Sequence, residues 1–169
     1  MGTLIRRLKG ALLLDVETFE EVEHDPSAMG QAVLVVLLAA LAEAVGGNPT
    51  MEGYGFTSVF ALGLVRWALW SAITWFIGTR VFGGTADWGE LLRTIAFAQA
   101  PALFMVLGGI PWIGSQEVAA SILGAVVYAW LLVAVIVAIR QALDVSTIRA
   151  LLTALLGLAP HGFFMALFL

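Results

Sequence analysis

Glu43, Arg66, Gln99 and His161 are polar side chains set inside stretches that are otherwise almost wholly apolar. Brought together, groups of these types could hold an ion pair, relay a proton or line a polar route for a small solute. Glu43 and Arg66 supply opposite charges, Gln99 both donates and accepts hydrogen bonds, and a histidine titrates close to neutral pH. Charge buried at the centre of a membrane helix costs at least about 2.5 kcal/mol unless it is paired or wetted. A structural role competes with the functional one, because one arginine paired with one glutamate also fixes the rotation of packed helices. His161, directly after Pro160, reads most simply as a hydrogen-bonded interior residue.

A second group of chemistry-bearing residues lies near the N-terminus, where six of the twelve acids fall between Asp15 and Asp25. Glu17, Glu20, Glu21 and His24 could offer oxygen and nitrogen atoms to a divalent cation, but glutamates on one helix are usually only solvated, and neither metal nor cofactor is expected. Phe19 and Val22 stand at i, i+3 among these acids and are the candidate docking residues for a cytoplasmic protein partner. Catalysis has little to stand on. The chain has no cysteine, hence no thiol nucleophile or thiolate metal site. Gly114-Ser115-Gln116 lacks the flanking pattern of a serine nucleophile, Ser71 and Ser121 have no base at a recognisable spacing, and neither a phosphate-cradling loop nor His-Glu-x-x-His occurs. A non-enzymatic protein is expected.

These residues must be positioned by helices in a bilayer. With 61% hydrophobic and 12% charged residues and a mean hydropathy of +0.99, the chain has too little polar material to cover itself in water. The formal charge of −4 reports mainly the acidic N-terminal segment. Beyond Arg6, Arg7 and Lys9 there is no basic face, which excludes nucleic acid as a partner. About twenty apolar residues are needed for a helix to cross the hydrocarbon layer. Five stretches qualify, near residues 26–46, 56–82, 90–109, 118–139 and 147–169.

Seven of the eight Lys/Arg residues flank alternate gaps between these stretches: Arg6, Arg7 and Lys9 before the first, Arg80 and Arg93 around the second gap, Arg140 and Arg149 around the fourth. Because positive charge is retained on the cytoplasmic side of short loops, the N-terminus is predicted to be cytoplasmic and the C-terminus external. The expected fold is all-α: a single membrane domain over residues 1–169, with five transmembrane helices after a cytoplasmic or interfacial segment, residues 1–25. Within that segment Leu4, Ile5, Leu8 and Leu12 recur at helical spacing, predicting an amphipathic helix on the membrane surface. Its cations would then meet anionic headgroups at about 1 kcal/mol each.

Tyr54, Phe56 and Trp112 suit an outer aromatic belt, and Phe82 and Trp88 an inner one. Pro101 should kink the third span. Small residues four apart (Ala40/Ala44, Ala68/Ala72, Ala96/Ala100, Ala120/Gly124, Ala150/Ala154) predict close helix packing and a bundle able to form homo-oligomers.

Particular stretches also look familiar. Leu12-Leu13-Leu14-Asp15, Phe19 and Asp25-Pro26; Gly83-Gly84 with Trp88-Gly89-Glu90-Leu91-Leu92-Arg93; Phe97-Ala98-Gln99-Ala100-Pro101-Ala102; and Ile139-Arg140-Gln141-Ala142-Leu143 with Ser146-Thr147-Ile148-Arg149-Ala150 resemble the prokaryotic branch of the Yip domain family. The resemblance covers about residues 10 to 156 and rests on the order and spacing of its parts. It implies five spans with a cytoplasmic N-terminus, and a place in a prokaryotic cytoplasmic membrane. Eukaryotic relatives act in vesicle trafficking, bind Rab-type GTPases and affect membrane shape, which implies a membrane-organising or trafficking-type adaptor. Their Asp-Leu-Tyr-Gly-Pro motif is missing here, so GTPase binding does not carry over. Phe97 stands where the family usually has tyrosine. The competing expectation, from the residues themselves, is a small transporter or channel component with its polar pathway around Arg66.

Overall fold

The computed structural model describes residues 2–46 and 55–168, with side chains described as far as Gly157 except that of residue 56. The expectations on Tyr54, on the Phe56 side chain and on the His161 side chain lie outside the described residues. Among those described there is no strand. The α-helices are α1 (Gly2–Leu12), α2 (Val16–His24), α3 (Met29–Val45), α4 (Phe56–Arg80), α5 (Trp88–Ala98), α6 (Pro111–Gly114), α7 (Glu117–Leu143) and α8 (Thr147–Phe168). A short 3₁₀ turn, Pro26–Ala28, leads into α3, and a long one, Ala100–Gly109, continues α5.

Four of these units are long and apolar enough to cross a membrane: Pro26–Val45, Thr57–Arg80, Trp88–Gly109 and Glu117–Leu143. Helix α8 runs over 22 residues, and its stretch Thr147–Gly157 is apolar. Large apolar side chains face outward along them, among them Phe76, Ile122, Val126 and Leu155, all 48% or more exposed. Water would penalise such a surface, whereas lipid tails solvate it.

Local chemistry sets the breaks. Asp15 begins α2 as its N-cap, accepting from the Thr18 amide at 3.2 Å and the Thr18 hydroxyl at 2.6 Å. Asp87 and Glu90 form a reciprocal capping box at the start of α5, at 2.8 and 2.7 Å. Asp144 ends α7 in the left-handed conformation, φ 53°. Between α4 and α5, Gly83 takes φ +73°, which a side chain would resist.

Pro101 does more than kink the third span. It has no N–H for the carbonyl four residues back, and its ring crowds that carbonyl, so α5 stops at Ala98. The chain goes on with i→i+3 bonds, Ala102 N–H to Gln99 O at 2.9 Å being the first across the proline.

Helix α3 lies along the 3₁₀ segment, α4 packs between α5 and α8, and α7 packs against α5, α8 and the 3₁₀ segment. At the α3 end the backbones touch: a Cβ on Gly46 would lie 2.1 Å from the Met105 carbonyl oxygen, and one on Gly108 2.6 Å from that of Gly46. The small-residue expectation divides. Ala96, Ala100, Ala150 and Ala154 are fully buried at helix contacts and Ala40 nearly so, whereas Ala68, Ala72, Ala120 and Gly124 are only partly covered.

Helices α1 and α2 fold back onto one end of the bundle, with α2 lying across α5 and α7. Leu4, Leu8 and Leu12 of α1 pack against the core, so the stripe expected to lie in lipid faces protein, and Ile5 remains exposed. Arg80, Arg93, Arg140 and Arg149 stand at the helix ends and turns of the same end, where Arg149 reaches the Phe82 carbonyl and Thr85 reaches Asp144.

Candidate functional site

Two polar constructions stand out from the apolar bundle. The first lies within it. On α4, Gly63, Arg66, Trp67 and Trp70 follow i, i+3, i+4, i+7 and share a face; on α3, Val36, Ala40 and Glu43 do the same. The facing surfaces, with Gln99, Tyr128 and Leu131, enclose a cavity of about 280 Å³. Arg66 Nη1 donates to Glu43 Oε2 at 3.5 Å, with the Glu43 side chain 11% and the Arg66 side chain 29% exposed. That is long beside the roughly 2.7–2.9 Å of a tight charge-assisted bond. Three of the four residues expected to form an intramembrane polar cluster, Glu43, Arg66 and Gln99, thus line one cavity. Trp67, Trp70 and Tyr128 also line it and were not anticipated. Their sequence signal was the shared helical face on α4; Tyr128 offered none.

The Ser71 and Thr74 hydroxyls, one and two turns along α4, are buried without a hydrogen-bond partner among the described residues.

The second construction is the charged end, where water is the solvent. Arg7, only 4% exposed in its side chain, donates to Glu21 at 2.8 and 3.0 Å, to Asp25 at 2.5 Å and to Gln31 at 3.1 Å. Arg6 grips Glu21 through two nitrogens, at 2.6 and 2.7 Å. The two arginines expected to meet lipid headgroups therefore meet carboxylates of the same chain, which offer fixed two-oxygen partners that a mobile headgroup does not. Bonds from Arg6 and then Arg7 hold the Glu21 carboxyl at about 2. Asp25 also sits at about 2, chiefly through the Ser27 hydroxyl and then Arg7.

Arg93 was read only as a topology signal. It is buried, its Nε donating to the Val22 carbonyl at 3.1 Å and its Nη2 to that of Glu23. A guanidinium thus satisfies the last-turn carbonyls of α2 and opposes the negative end of its dipole. The Trp130 indole ties α7 to the Leu12 carbonyl of α1 at 3.0 Å.

Phe19 and Val22 face inward and are fully buried in the core. At a water-facing end, burying each contributes about 1.5–3 kcal/mol, and that is why they turn from the surface. A partner docking on this end meets other residues. Exposed there are Glu17, Glu20, His24, Asp87 and Asp144, beside the cations Arg6, Lys9, Arg80 and Arg149. Glu20 accepts from Gln141 at 2.8 Å, and His24 Nδ1 lies 2.9 Å from the Glu20 carbonyl, so these groups are partly fixed. Below them Glu23 is buried, and desolvation pushes its carboxyl up to about 7. Among the described residues no three acidic, histidine or cysteine side chains are grouped to hold a metal ion.

The family model for the Yip1 domain matches residues 9–169. No curated protein and no solved structure matches the chain.

Proposed function

The chain belongs to the Yip1 domain family, and from that premise we propose that it works without catalysis, as a membrane-organising or trafficking-type adaptor whose working surface is the charged end of its helix bundle. The observation that carries this reading is the cap. Helices α1 and α2 are locked onto the bundle by Arg7, Arg93 and the buried pair Phe19 and Val22. A recognition surface fixed in advance loses less entropy on binding than a loose tail would. What it offers carries both signs, the exposed acids Glu17, Glu20, Asp87 and Asp144 with His24 among them and the exposed cations Arg6, Lys9, Arg80 and Arg149. Its acidic part suits a basic segment of a cytoplasmic protein.

The reading includes five crossings, with α8 the fifth, an N-terminus in the cytoplasm and a place in a prokaryotic cytoplasmic membrane. The gathering of seven cations at one end supports that orientation. The partly covered small residues on α4 and α7 support self-association. A solute route through Arg66 has less support, because Glu43, Arg66 and Gln99 line one cavity and nothing extends them into a row of polar groups among the described residues.

Charge reversal tests the adaptor. Glu17→Lys with Glu20→Lys changes only exposed side chains and should shift stability by no more than about 0.5 kcal/mol apiece. Affinity purification under mild detergent should then lose cytoplasmic proteins that the wild type retains. A wild type without such proteins, or a double variant that keeps them all, rejects the proposal.

A further inference from the structure

The cavity beside Arg66 carries a ligand class of its own. Its described lining is largely apolar, with Gln99 and Tyr128 as further polar residues, and in it a guanidinium and a carboxylate stand side by side. Among the described residues Arg66 donates one hydrogen bond, the 3.5 Å contact to Glu43, out of the five N–H groups a guanidinium carries. Its charge is therefore available to a second anion. A purely anionic ligand would gain from Arg66 and lose against Glu43; a purely cationic one would meet the reverse. In a low-dielectric site both penalties are large. A molecule bearing both signs a few ångströms apart avoids both.

Aromatic residues add to this. Trp67, Trp70 and Tyr128 line the same cavity, and indole and phenol faces attract ammonium groups. The volume of about 280 Å³ is several times the roughly 30 Å³ that one water occupies in the liquid.

We infer that this cavity binds a small zwitterionic group, its phosphate or carboxylate on Arg66 and its ammonium between Glu43 and the tryptophans. Such a group reaches it either as the headgroup of an aminophospholipid or as a free solute.

Native mass spectrometry of the full chain in detergent separates these sources and tests the site. Titrated with phosphatidylethanolamine or with phosphatidylglycerol, the wild type should bind the first about tenfold more tightly, the equivalent of one charged contact. Glu43→Gln with Arg66→Gln should abolish that preference by removing both charges while leaving polar side chains in place. Leu131→Trp, which fills the cavity and leaves both charges, should weaken phosphatidylethanolamine binding about as much, and it remains informative where the double variant fails to fold. Added phosphoethanolamine should compete if the site accepts the free zwitterion; absence of competition assigns it to the lipid. Equal binding of the two lipids, no binding of either, or a preference that survives both variants overturns the inference.

Discussion

Replacing Arg7 by methionine should free the N-terminal cap, whereas the same change at Arg6, one residue earlier, should barely be felt. The two arginines share the Glu21 carboxylate but differ in surroundings: the Arg7 side chain is 4% exposed and that of Arg6 58%. Losing a buried partner generally costs about 3–5 kcal/mol, because the carboxylates left behind stay dry. Here Glu21 and Asp25 keep 35% and 31% of their side-chain surface in water and can rehydrate. The loss at Arg7 should therefore fall to about 2–3 kcal/mol, while an exposed pair such as Arg6–Glu21 contributes about 1 kcal/mol or less. Because the cap can lift from a bundle that stays folded, the sensitive readout is amide hydrogen exchange in α1 and α2. Protection there should drop about 30- to 150-fold in Arg7→Met and less than about fivefold in Arg6→Met, with α5 and α7 unchanged. Equal drops in the two variants would refute the assignment of Arg7 as the clamp.

The other expectations concern pH, pairing and topology. Glu21 and Asp25 sit near 2 in the folded chain against ordinary values of 4.5 and 3.8, so their contribution is present above those values and disappears as pH falls toward 2. Glu23, raised to about 7 from 4.5, contributes fully below 4.5 and loses that contribution as pH rises through 7. Cap protection should accordingly peak near pH 4.5–5, and Glu23→Gln should flatten its decline toward pH 8; an unchanged decline places its origin elsewhere. Arg66→Ala and Glu43→Ala should each lower the unfolding midpoint in detergent, with the double variant recovering about 1–3 kcal/mol relative to additivity; strict additivity would mean that the two charges do not interact. Reporters fused after Asp87 and Asp144 should read cytoplasmic and those after Ser115 and Leu169 external, and a cytoplasmic C-terminus would defeat the five-span reading.

The long apolar helices were readable because apolar run length is a quantity a single sequence carries, and the gathering of cations at one end because Lys and Arg flank alternate gaps. The further roles of those cations were not. Arg93 lies 71 residues from the Val22 carbonyl it satisfies, and Arg7 lies 18 from Asp25. Nothing in local spacing reports such pairings. The same holds for Phe19 and Val22: at i, i+3 among acids they suit equally a face offered to a partner and a face turned inward, and the choice is made by α5 and α7 lying beneath α2. Around Arg66 the sequence told more than was taken from it. Gly63, Arg66, Trp67 and Trp70 already shared a face, but tryptophans in a membrane protein suggest interfacial belts first.

Pro101 shows most clearly why a breaker alone underdetermines geometry. From the sequence it says that the α-helical ladder must fail, not which ladder follows. In an α-helix, at about 100° per residue, Gln99 and Gly108 would stand about 180° apart and face opposite sides. In a 3₁₀ helix, at three residues per turn, Gln99, Ala102, Met105 and Gly108 fall in line. That line is the one found against α3: Ala102 and Met105 are buried, Gly108 meets the Gly46 backbone, and Gln99 shares the cavity with Glu43. The glycines at 46 and 108 and the proline at 101 thus act on one contact. The glycines let the two backbones meet at the α3 end, and the proline imposes the winding that carries the same face down to the level of the Glu43–Arg66 pair.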